Sequence, residues 1–250
     1  MLALFEKSIG KGPEELTSPT SKQYSHEKNG MEIMDSFVSS RPQVITTRFQ
    51  DMGAFLAYTH ENETLLHPRL FASVEDIFCI FVGTLENLCV LRRQYGLSKT
   101  TTEALLMIEA YKTLRDRGPY PPDQVVKDLN GRFAFVLFDS KCSTVFAAVD
   151  GEASTPLYWG TALDGSLVFS DDPDVLHDGC GKSFAPFPAG CMFSNGSGLQ
   201  SYEHPLNKMK AMPRVDSEGH MCGATFKVDK FTRINSIPRV GSATNWATSV

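Results

Sequence analysis

The sequence predicts an α+β protein in which two antiparallel sheets lie between outer layers of helices. Two observations carry this prediction. Short β-type runs follow one another over residues 43–84 and again over residues 131–203, with turn residues between them. The stretch between these two groups has helical patterning. Because sheets and amphipathic helices both need cover for an apolar side, strands on both sides of a helical block favour two sheets with helices packed outside.

The amino-terminal segment predicts a buried strand. The chain begins MLALF, five apolar residues with no basic segment before them, which does not fit a secretory signal. Residues 11–42 are rich in Gly, Pro, Ser, Thr and Lys around an apolar patch at 31–38, and predict a surface insertion carrying a short helix. We expect a single domain over residues 1–235 and a flexible tail over residues 236–250.

Three helices are predicted in the middle of the chain. The first covers about residues 86–93 and the third about residues 121–129. The second is the best marked, because Thr100 and Glu103 have capping-box spacing and Gly118 stands at its end.

Composition and charge exclude several classes of function. No window approaches the roughly 18 apolar residues of a spanning helix, so we expect no membrane insertion. The net charge is -5 and the basic residues are scattered, which indicates no footprint for nucleic acid or an anionic membrane. The sequence also predicts a last hairpin over residues 212–229 and indicates no function for it.

The cysteines and histidines predict neither a metal site nor a disulfide framework. No two cysteines form a C-x-x-C pair, and no cysteine or histidine pair has further ligands at usable spacing. We therefore expect no metal and no cofactor, and a reducing compartment, the cytoplasm or also the nucleus. The six cysteines are Cys79, Cys89, Cys142, Cys180, Cys191 and Cys222.

The order of segments in the second half points to a known domain. The string LNGRFAFVLFD at 129–139 is followed by AAVD at 147–150 and PLY at 156–158, while VGTLEN lies upstream at 82–87. In this order they resemble the class II glutamine amidotransferase domain of asparagine synthetases. The resemblance covers about residues 1–205.

Two further strings narrow the resemblance. Tyr95-Gly96-Leu97 and Leu114-Arg115-Asp116-Arg117 are the motifs of the plant aluminium-induced proteins with YGL and LRDR motifs, and the whole chain resembles that family. The resemblance implies an amidotransferase-like domain standing alone, associated with stress and hormone response. It also implies the N-terminal-nucleophile hydrolase-like fold, a four-layer αββα sandwich.

The resemblance implies that the reactive positions are altered. In the active family a cysteine becomes the first residue and attacks the glutamine amide, with its own α-amino group as base. That position is Leu2 here. Where the family has an oxyanion-hole asparagine beside a glycine, this chain has Val82 beside Gly83, so that only the backbone donor remains.

The substrate-holding positions differ as well. The family's aspartate for the substrate amino group aligns with Thr101, and its arginine for the substrate carboxylate is missing at 55–58, where Arg48 and Arg69 are the nearest arginines. The ATP-using synthetase half has no counterpart in this sequence. Leu2, Val82, Gly83 and Thr101 are therefore interpreted as a vestigial pocket without catalytic residues.

The sequence leaves three functional hypotheses. The leading one is an inactive amidotransferase-like protein that acts by binding or self-assembly, as a homo-oligomer because the apolar strand at 77–83 needs cover. The second is a hydrolase or amidotransferase with a relocated nucleophile, Cys79, Cys89 or Cys191, although all three lie in apolar patterns that favour burial. The third is a small-molecule sensor that uses a vestigial pocket made more apolar by Leu2 and Val82.

Overall fold

A computed structural model describes most of the chain. The described residues are 1–18, 27–49, 52–61, 63–65, 67–117, 122–215, 219 and 221–234. The predicted tail at 236–250 lies outside them.

The described residues form strands and helices in an order that follows the predicted groups. The strands are β1 (Leu2–Phe5), β2 (Ile45–Phe49), β3 (Ala54–Tyr58), β4 (Arg69–Val74), β5 (Ile77–Leu85), β6 (Gly131–Asp139), β7 (Thr144–Val149), β8 (Tyr158–Thr161), β9 (Leu167–Ser170), β10 (Phe184–Pro186), β11 (Cys191–Ser194), β12 (Gly198–Ser201), β13 (Asn207–Val215) and β14 (Met221–Arg233). The α-helices are α1 (Gly30–Ser40), α2 (Leu88–Gln94), α3 (Glu103–Arg117), α4 (Pro122–Lys127) and α5 (Pro173–Cys180).

Two six-stranded antiparallel sheets make up the centre. Sheet I has the strand order β10-β8-β9-β1-β3-β2, and sheet II has the order β12-β11-β7-β6-β5-β4. A separate two-stranded ribbon pairs β13 with β14. The ribbon is longer than the hairpin predicted over residues 212–229, because its strands extend past both of those limits.

Three apolar clusters hold the layers together. One lies between the sheets, where the rings of Phe5 in sheet I and Phe138 in sheet II have centroids 5.4 Å apart. A second joins sheet II to α2, α3 and α4, and a third joins sheet I to α1 and α5. The arrangement from one side to the other is helix, sheet, sheet, helix. The predicted four-layer αββα sandwich is therefore confirmed.

The apolar start of the chain is explained by the position of β1. This strand lies inside sheet I, between β3 and β9, and all four of its residues are buried. Leu2 and Leu4 face α1 and α5, whereas Ala3 and Phe5 face sheet II. A strand covered on both faces needs apolar residues at successive positions, because side chains alternate between faces. The predicted buried strand is confirmed.

The helix expected within residues 11–42 is α1, which begins with a capping box between Asn29 and Glu32. It buries Ile33, Met34 and Phe37 against sheet I, so it belongs to an outer layer of the sandwich. No helix in the described part of the chain has the length and apolar character needed to cross a bilayer.

The predicted cap of the second helix is wrong by two residues. Helix α3 begins at Glu103, and the hydroxyl of Thr102 accepts a hydrogen bond from the Leu105 N–H at 3.4 Å. Thr100 does not cap the helix because its hydroxyl instead bonds with that of Ser98 at 2.8 Å.

Candidate functional site

Leu2, which the resemblance places at the nucleophile position, has no exposed surface. Its backbone is paired with Ala57 on one side and Ser170 on the other. Its side chain lies in the apolar cluster that contains Phe37 of α1 and Phe55 of β3. Hydrocarbon therefore fills the space around residue 2.

Val82 and Gly83 lie in a different environment from Leu2. Val82 is buried between the sheets, in the cluster that contains Met1. The Gly83 N–H donates to the Pro68 carbonyl at 2.9 Å, so the backbone donor that the sequence left at this position is occupied. Gly83 has a φ of +105°, and a Cβ there would lie 2.1 Å from the Arg132 carbonyl oxygen. Only glycine fits this close approach of two strands.

Thr101 is held by helix α2. Its carbonyl accepts hydrogen bonds from both Nε and Nη2 of Arg92, the first at 2.8 Å, and its hydroxyl lies 3.3 Å from that of Ser98. These contacts fix the chain just before α3. Leu2 and Val82 lie in different apolar clusters, and that the four positions form one vestigial pocket stays a prediction.

The group that does lie at the start of β1 is a buried charge cluster. The α-amino group of Met1 is hydrogen bonded to Oδ1 of Asp171, and Nε of Arg69 donates to Oδ2 of the same carboxylate at 2.6 Å. Arg69 also donates through Nη1 to the carbonyls of Thr59 at 3.0 Å and Glu61 at 2.7 Å. A cavity opens beside these residues, and we call Met1, Arg69 and Asp171 the cleft end.

Burial and charge act in opposite directions on the groups of the cleft end. Burial alone would raise the pKa of Asp171, but the Met1 ammonium and the Arg69 guanidinium outweigh it and hold the pKa below its usual value. Burial also lowers the pKa of the Met1 amino group, against the opposing effect of Asp171. The carboxylate therefore stays ionised and accepts hydrogen bonds from both groups.

A cavity of about 350 Å³ opens beside this cluster. Its walls include the three cleft-end residues together with Arg41 and Asp172, which form an ion pair at 2.6 Å. The lining is charged, whereas the sequence had led us to expect an apolar pocket around Leu2. The sequence analysis did not identify Asp171 as a site residue. The only feature that could have indicated it is its position directly after a buried strand, and its partner Arg69 is 102 positions away in the sequence.

The cysteines considered as relocated nucleophiles differ in exposure. Cys79 and Cys191 are buried, as expected, and burial raises the pKa of the Cys79 thiol. Burial and the charge of Glu203 raise the pKa of Cys191 to about 12. Since the thiolate is the nucleophile, both are poorly suited to attack. Cys89 is exposed, which corrects the expectation that it is buried.

Asp150, which follows β7, has a structural role. Its carboxylate accepts backbone N–H bonds from Phe133, Glu152, Ser154 and Thr155 at 2.9 to 3.2 Å. It thereby ties the turn after β7 to the neighbouring strand.

The YGL motif is the carboxyl-terminal cap of α2. The Leu97 N–H donates to the Arg92 carbonyl at 2.7 Å, and the Gly96 N–H donates to the Arg93 carbonyl at 3.2 Å. This is the Schellman pattern, in which the residue after the cap adopts a left-handed conformation. Gly96 has a φ of +67°, and Tyr95 and Leu97 pack against the cluster beneath α3.

The LRDR motif fastens α3 to sheet II. Arg115 donates through Nη1 at 3.2 Å to the fully buried carboxylate of Asp139, and through Nε at 2.8 Å to Asp116. Tyr111, one turn earlier, donates to the same Asp139 carboxylate at 3.0 Å. Leu114 is half-buried, and Arg117 ends the helix with a side chain outside the described part.

Among the described residues, no group of three or more His, Cys, Asp and Glu side chains could hold a metal ion.

Comparison with known proteins places these features in context. A family model described as aluminium induced protein matches residues 2–228. The stem-specific protein TSJT1 of Nicotiana tabacum is 52% identical over 149 residues, which are 59% of this chain and 99% of that protein. Asparagine synthetase [glutamine-hydrolyzing] 3 of Arabidopsis thaliana is 41% identical over 106 residues, 42% of this chain but only 18% of the enzyme.

A second plant enzyme and one solved structure complete the comparison. Asparagine synthetase [glutamine-hydrolyzing] 2 of Oryza sativa subsp. japonica is 41% identical over 84 residues, 33% of this chain and 14% of its own length. The solved glutamine phosphoribosylpyrophosphate amidotransferase from B. subtilis superposes with a TM-score of 0.49 and 14% identity, over 83% of this chain and 50% of that chain. This chain thus spans less than a fifth of the two asparagine synthetases.

Proposed function

Because the chain belongs to the aluminium-induced protein family, we propose that it is a catalytically inactive amidotransferase-like protein of the plant stress and hormone response. In this proposal it acts by binding or by self-assembly. The observation that carries the proposal is the fully buried leucine at the nucleophile position. A hydrocarbon side chain has no lone pair with which to attack an amide carbonyl.

The donors for an oxyanion support the same proposal. Val82 offers no side-chain donor, and the Gly83 N–H is already bonded to Pro68. Loss of a single oxyanion-hole donor lowers kcat by about a hundredfold to a thousandfold. Introducing a nucleophile at residue 2 without restoring these donors would therefore leave the reaction slow.

A glutaminase assay on the purified full chain tests the proposal. We expect no glutamate release from glutamine above a heat-denatured sample, while an asparagine synthetase measured in parallel is active. Release that disappears in Arg69→Ala or Asp171→Asn, with both variants still folded by circular dichroism, would contradict the proposal.

A gain-of-function variant sharpens the test. Leu2→Cys restores the thiol of the family's nucleophile, and Leu4→Cys places a thiol on the same face of β1 as a matched control. We expect neither variant to hydrolyse glutamine, because the oxyanion donors remain absent. Glutamate release by Leu2→Cys alone would show that the surrounding groups still support the chemistry.

Self-assembly requires a free surface. The expectation that residues 77–83 need cover from another copy loses its basis, because β5 lies within sheet II and packs against α3. Strand β2, however, is the last strand of sheet I and is largely exposed. Edge strands can pair with a second chain. Light scattering coupled to gel filtration should give a multiple of 27.6 kDa, and a monomer at micromolar concentration would leave binding as the mode of action.

The cavity at the cleft end favours a second candidate, a sensor of a small zwitterionic ligand. Its walls carry both guanidinium and carboxylate groups, as recognition of an amino acid requires. Thermal unfolding in the presence of a panel of free amino acids tests it, because a ligand that binds only the folded state raises Tm. If no amino acid of the panel raises Tm, the sensor function is ruled out.

A further inference from the structure

The outward face of the β13–β14 hairpin carries an unbalanced positive charge. In β13, Lys208 and Lys210 are exposed, and Met209 and Ala211 between and after them face the core. In β14, Lys227 is exposed and lies directly opposite Lys210. Lys230 and Arg233, near the open end of the hairpin, are exposed as well, and we call these five cations the basic ribbon whichever side of the hairpin they lie on.

The described residues offer these cations no ion pair. None of the five has a carboxylate within 4 Å among the residues that the structure describes. The one acidic residue of the two described strands, Asp229, accepts the backbone N–H groups of Phe231 at 2.9 Å and Thr232 at 3.3 Å. The face is thus cationic within a chain whose net charge is -5.

The register adds a second observation. Lys210 and Lys227 are direct partners across the hairpin, and like charges at opposed positions destabilise a sheet. An anionic surface that contacts both ammonium groups would relieve this repulsion.

The open end of the hairpin exposes large apolar side chains among these cations. Between Met209 and Asn207 the register shifts, and the extra residues of β14 form a bulge in which Asp229 accepts the Phe231 N–H. This bulge presents Phe231 with 96% of its surface exposed. Leu206 is 60% and Ile234 44% exposed, and the Ile234 N–H donates to the Leu206 carbonyl at 2.7 Å. We call Leu206, Phe231 and Ile234 the apolar tip.

We propose that the basic ribbon and the apolar tip dock this protein on an anionic lipid bilayer. Cations attract acidic headgroups, while aromatic and aliphatic side chains enter the boundary between headgroups and acyl chains. Single-stranded nucleic acid fits less well, because it needs a row of aromatic platforms and Phe231 is the one exposed aromatic of the described ribbon. An acidic protein would neutralise the lysines but gives no reason for a 96% exposed phenylalanine beside them.

Sedimentation of the full chain with vesicles tests the proposal. One set consists of phosphatidylcholine alone and the other contains about 30 mol% phosphatidylserine. We expect the protein to pellet with the anionic set only, and to be released when salt rises from about 0.1 M to about 1 M, which shortens the screening length. Absence from the anionic pellet, or equal binding to both sets, would overturn the proposal.

Paired variants assign the binding to the face. Lys210→Gln with Lys227→Gln should weaken binding about fivefold for each charge removed. Lys127→Gln with Lys141→Gln is the matched control, since it makes the same charge change at exposed lysines away from the hairpin. Lys208→Gln with Lys230→Gln is a second ribbon pair in case the first fails to fold. An equal loss in the control would overturn the assignment.

The apolar tip has its own variant and control. Phe231→Ser should weaken binding and leave its salt dependence in place, whereas Leu65→Ser, at a residue 100% exposed elsewhere, should have no effect. A competing ligand distinguishes the other occupants. If polyglutamate or a single-stranded oligonucleotide binds more tightly than the vesicles, with the same dependence on the ribbon lysines, the lipid assignment is overturned.

Discussion

The cleft end and the basic ribbon use charge in opposite ways. At the cleft end the side chains of Asp171 and Arg69 are 4% and 13% exposed, and the carboxylate joins two cations. On the basic ribbon five cations are exposed, and none forms an ion pair within 4 Å among the described residues. Buried ions that satisfy one another are committed to the fold, since removing one leaves its partner uncompensated. Unpaired surface cations contribute little to the fold and remain available to a partner.

The cleft end and the basic ribbon have different roles in the molecule. At the cleft end, Asp171 binds the amino group of Met1 and the guanidinium of Arg69, so this region holds the first strand in place. The ribbon lies outside the two sheets and attaches through its inward face. We expect substitutions at the cleft end to change stability, and substitutions on the ribbon to change binding.

Asp171→Asn should have the largest effect on stability. It leaves the Met1 ammonium and Arg69 buried without a carboxylate, which costs about 3–5 kcal/mol of unfolding free energy. Urea denaturation followed by circular dichroism measures it. The control is Asp172→Asn, which loses the partly exposed pair with Arg41 while keeping an N-cap residue for α5, and should cost under about 1 kcal/mol. Equal losses would erase the distinction drawn for the cleft end.

Arg214 differs from the other cations of the β13–β14 hairpin, because its side chain points inward. Its Nη2 donates to the carbonyls of Lys182 at 3.2 Å and Cys222 at 3.0 Å, and also to that of Phe184. Arg214→Ala should cost about 2–3 kcal/mol, since it leaves carbonyls without their donor. Limited trypsin digestion should then cut the ribbon faster than in wild type. An unchanged digestion rate would mean that the hairpin does not depend on this anchor.

The LRDR arginine should have a moderate effect. Arg115→Ala removes the guanidinium from the buried carboxylate of Asp139, although the Tyr111 hydroxyl and two backbone N–H groups remain, so we expect a loss of about 1–2 kcal/mol. The control Asp116→Ala, which removes the exposed partner of the same arginine, should cost under about 0.5 kcal/mol.

The pH dependence of the Arg115→Ala loss identifies its cause. Burial would raise the pKa of Asp139, but the Cys142 N–H, Tyr111 and Arg115 together hold it below its ordinary value. A depressed carboxylate pKa adds stability above the unfolded pKa of about 3.9, and this contribution disappears as pH falls below that value through the folded pKa. The difference between wild type and Arg115→Ala should therefore shrink in acid, and a constant difference would point to lost packing.

Local patterns in the sequence predicted the groups of strands and the helices α1 to α4 but not α5, and the four-layer arrangement followed from the order of these groups and from the resemblance. The unbroken apolar run MLALF, for example, predicted the buried strand β1. The cleft end could not be predicted in the same way, since Met1 lies 170 positions and Arg69 lies 102 positions from Asp171, and they meet only through sheet pairing. The basic ribbon could not be predicted from the sequence for a related reason. Its lysines are divided between two strands and form no linear block, and only the register places Lys210 opposite Lys227.

The smallest expected effect has the opposite sign to the others. Because Lys210 and Lys227 face each other across the hairpin, replacing Lys210 with Gln should remove a repulsion and stabilise the protein by about 0.2–1 kcal/mol. The gain should be larger at low ionic strength, since salt screens the repulsion that is removed. Lys141→Gln, at an exposed lysine outside the hairpin, serves as the control and should show no comparable gain. A loss of stability in Lys210→Gln would show that the lysine supports the fold, and the contrast between the ribbon and the cleft end would then fail.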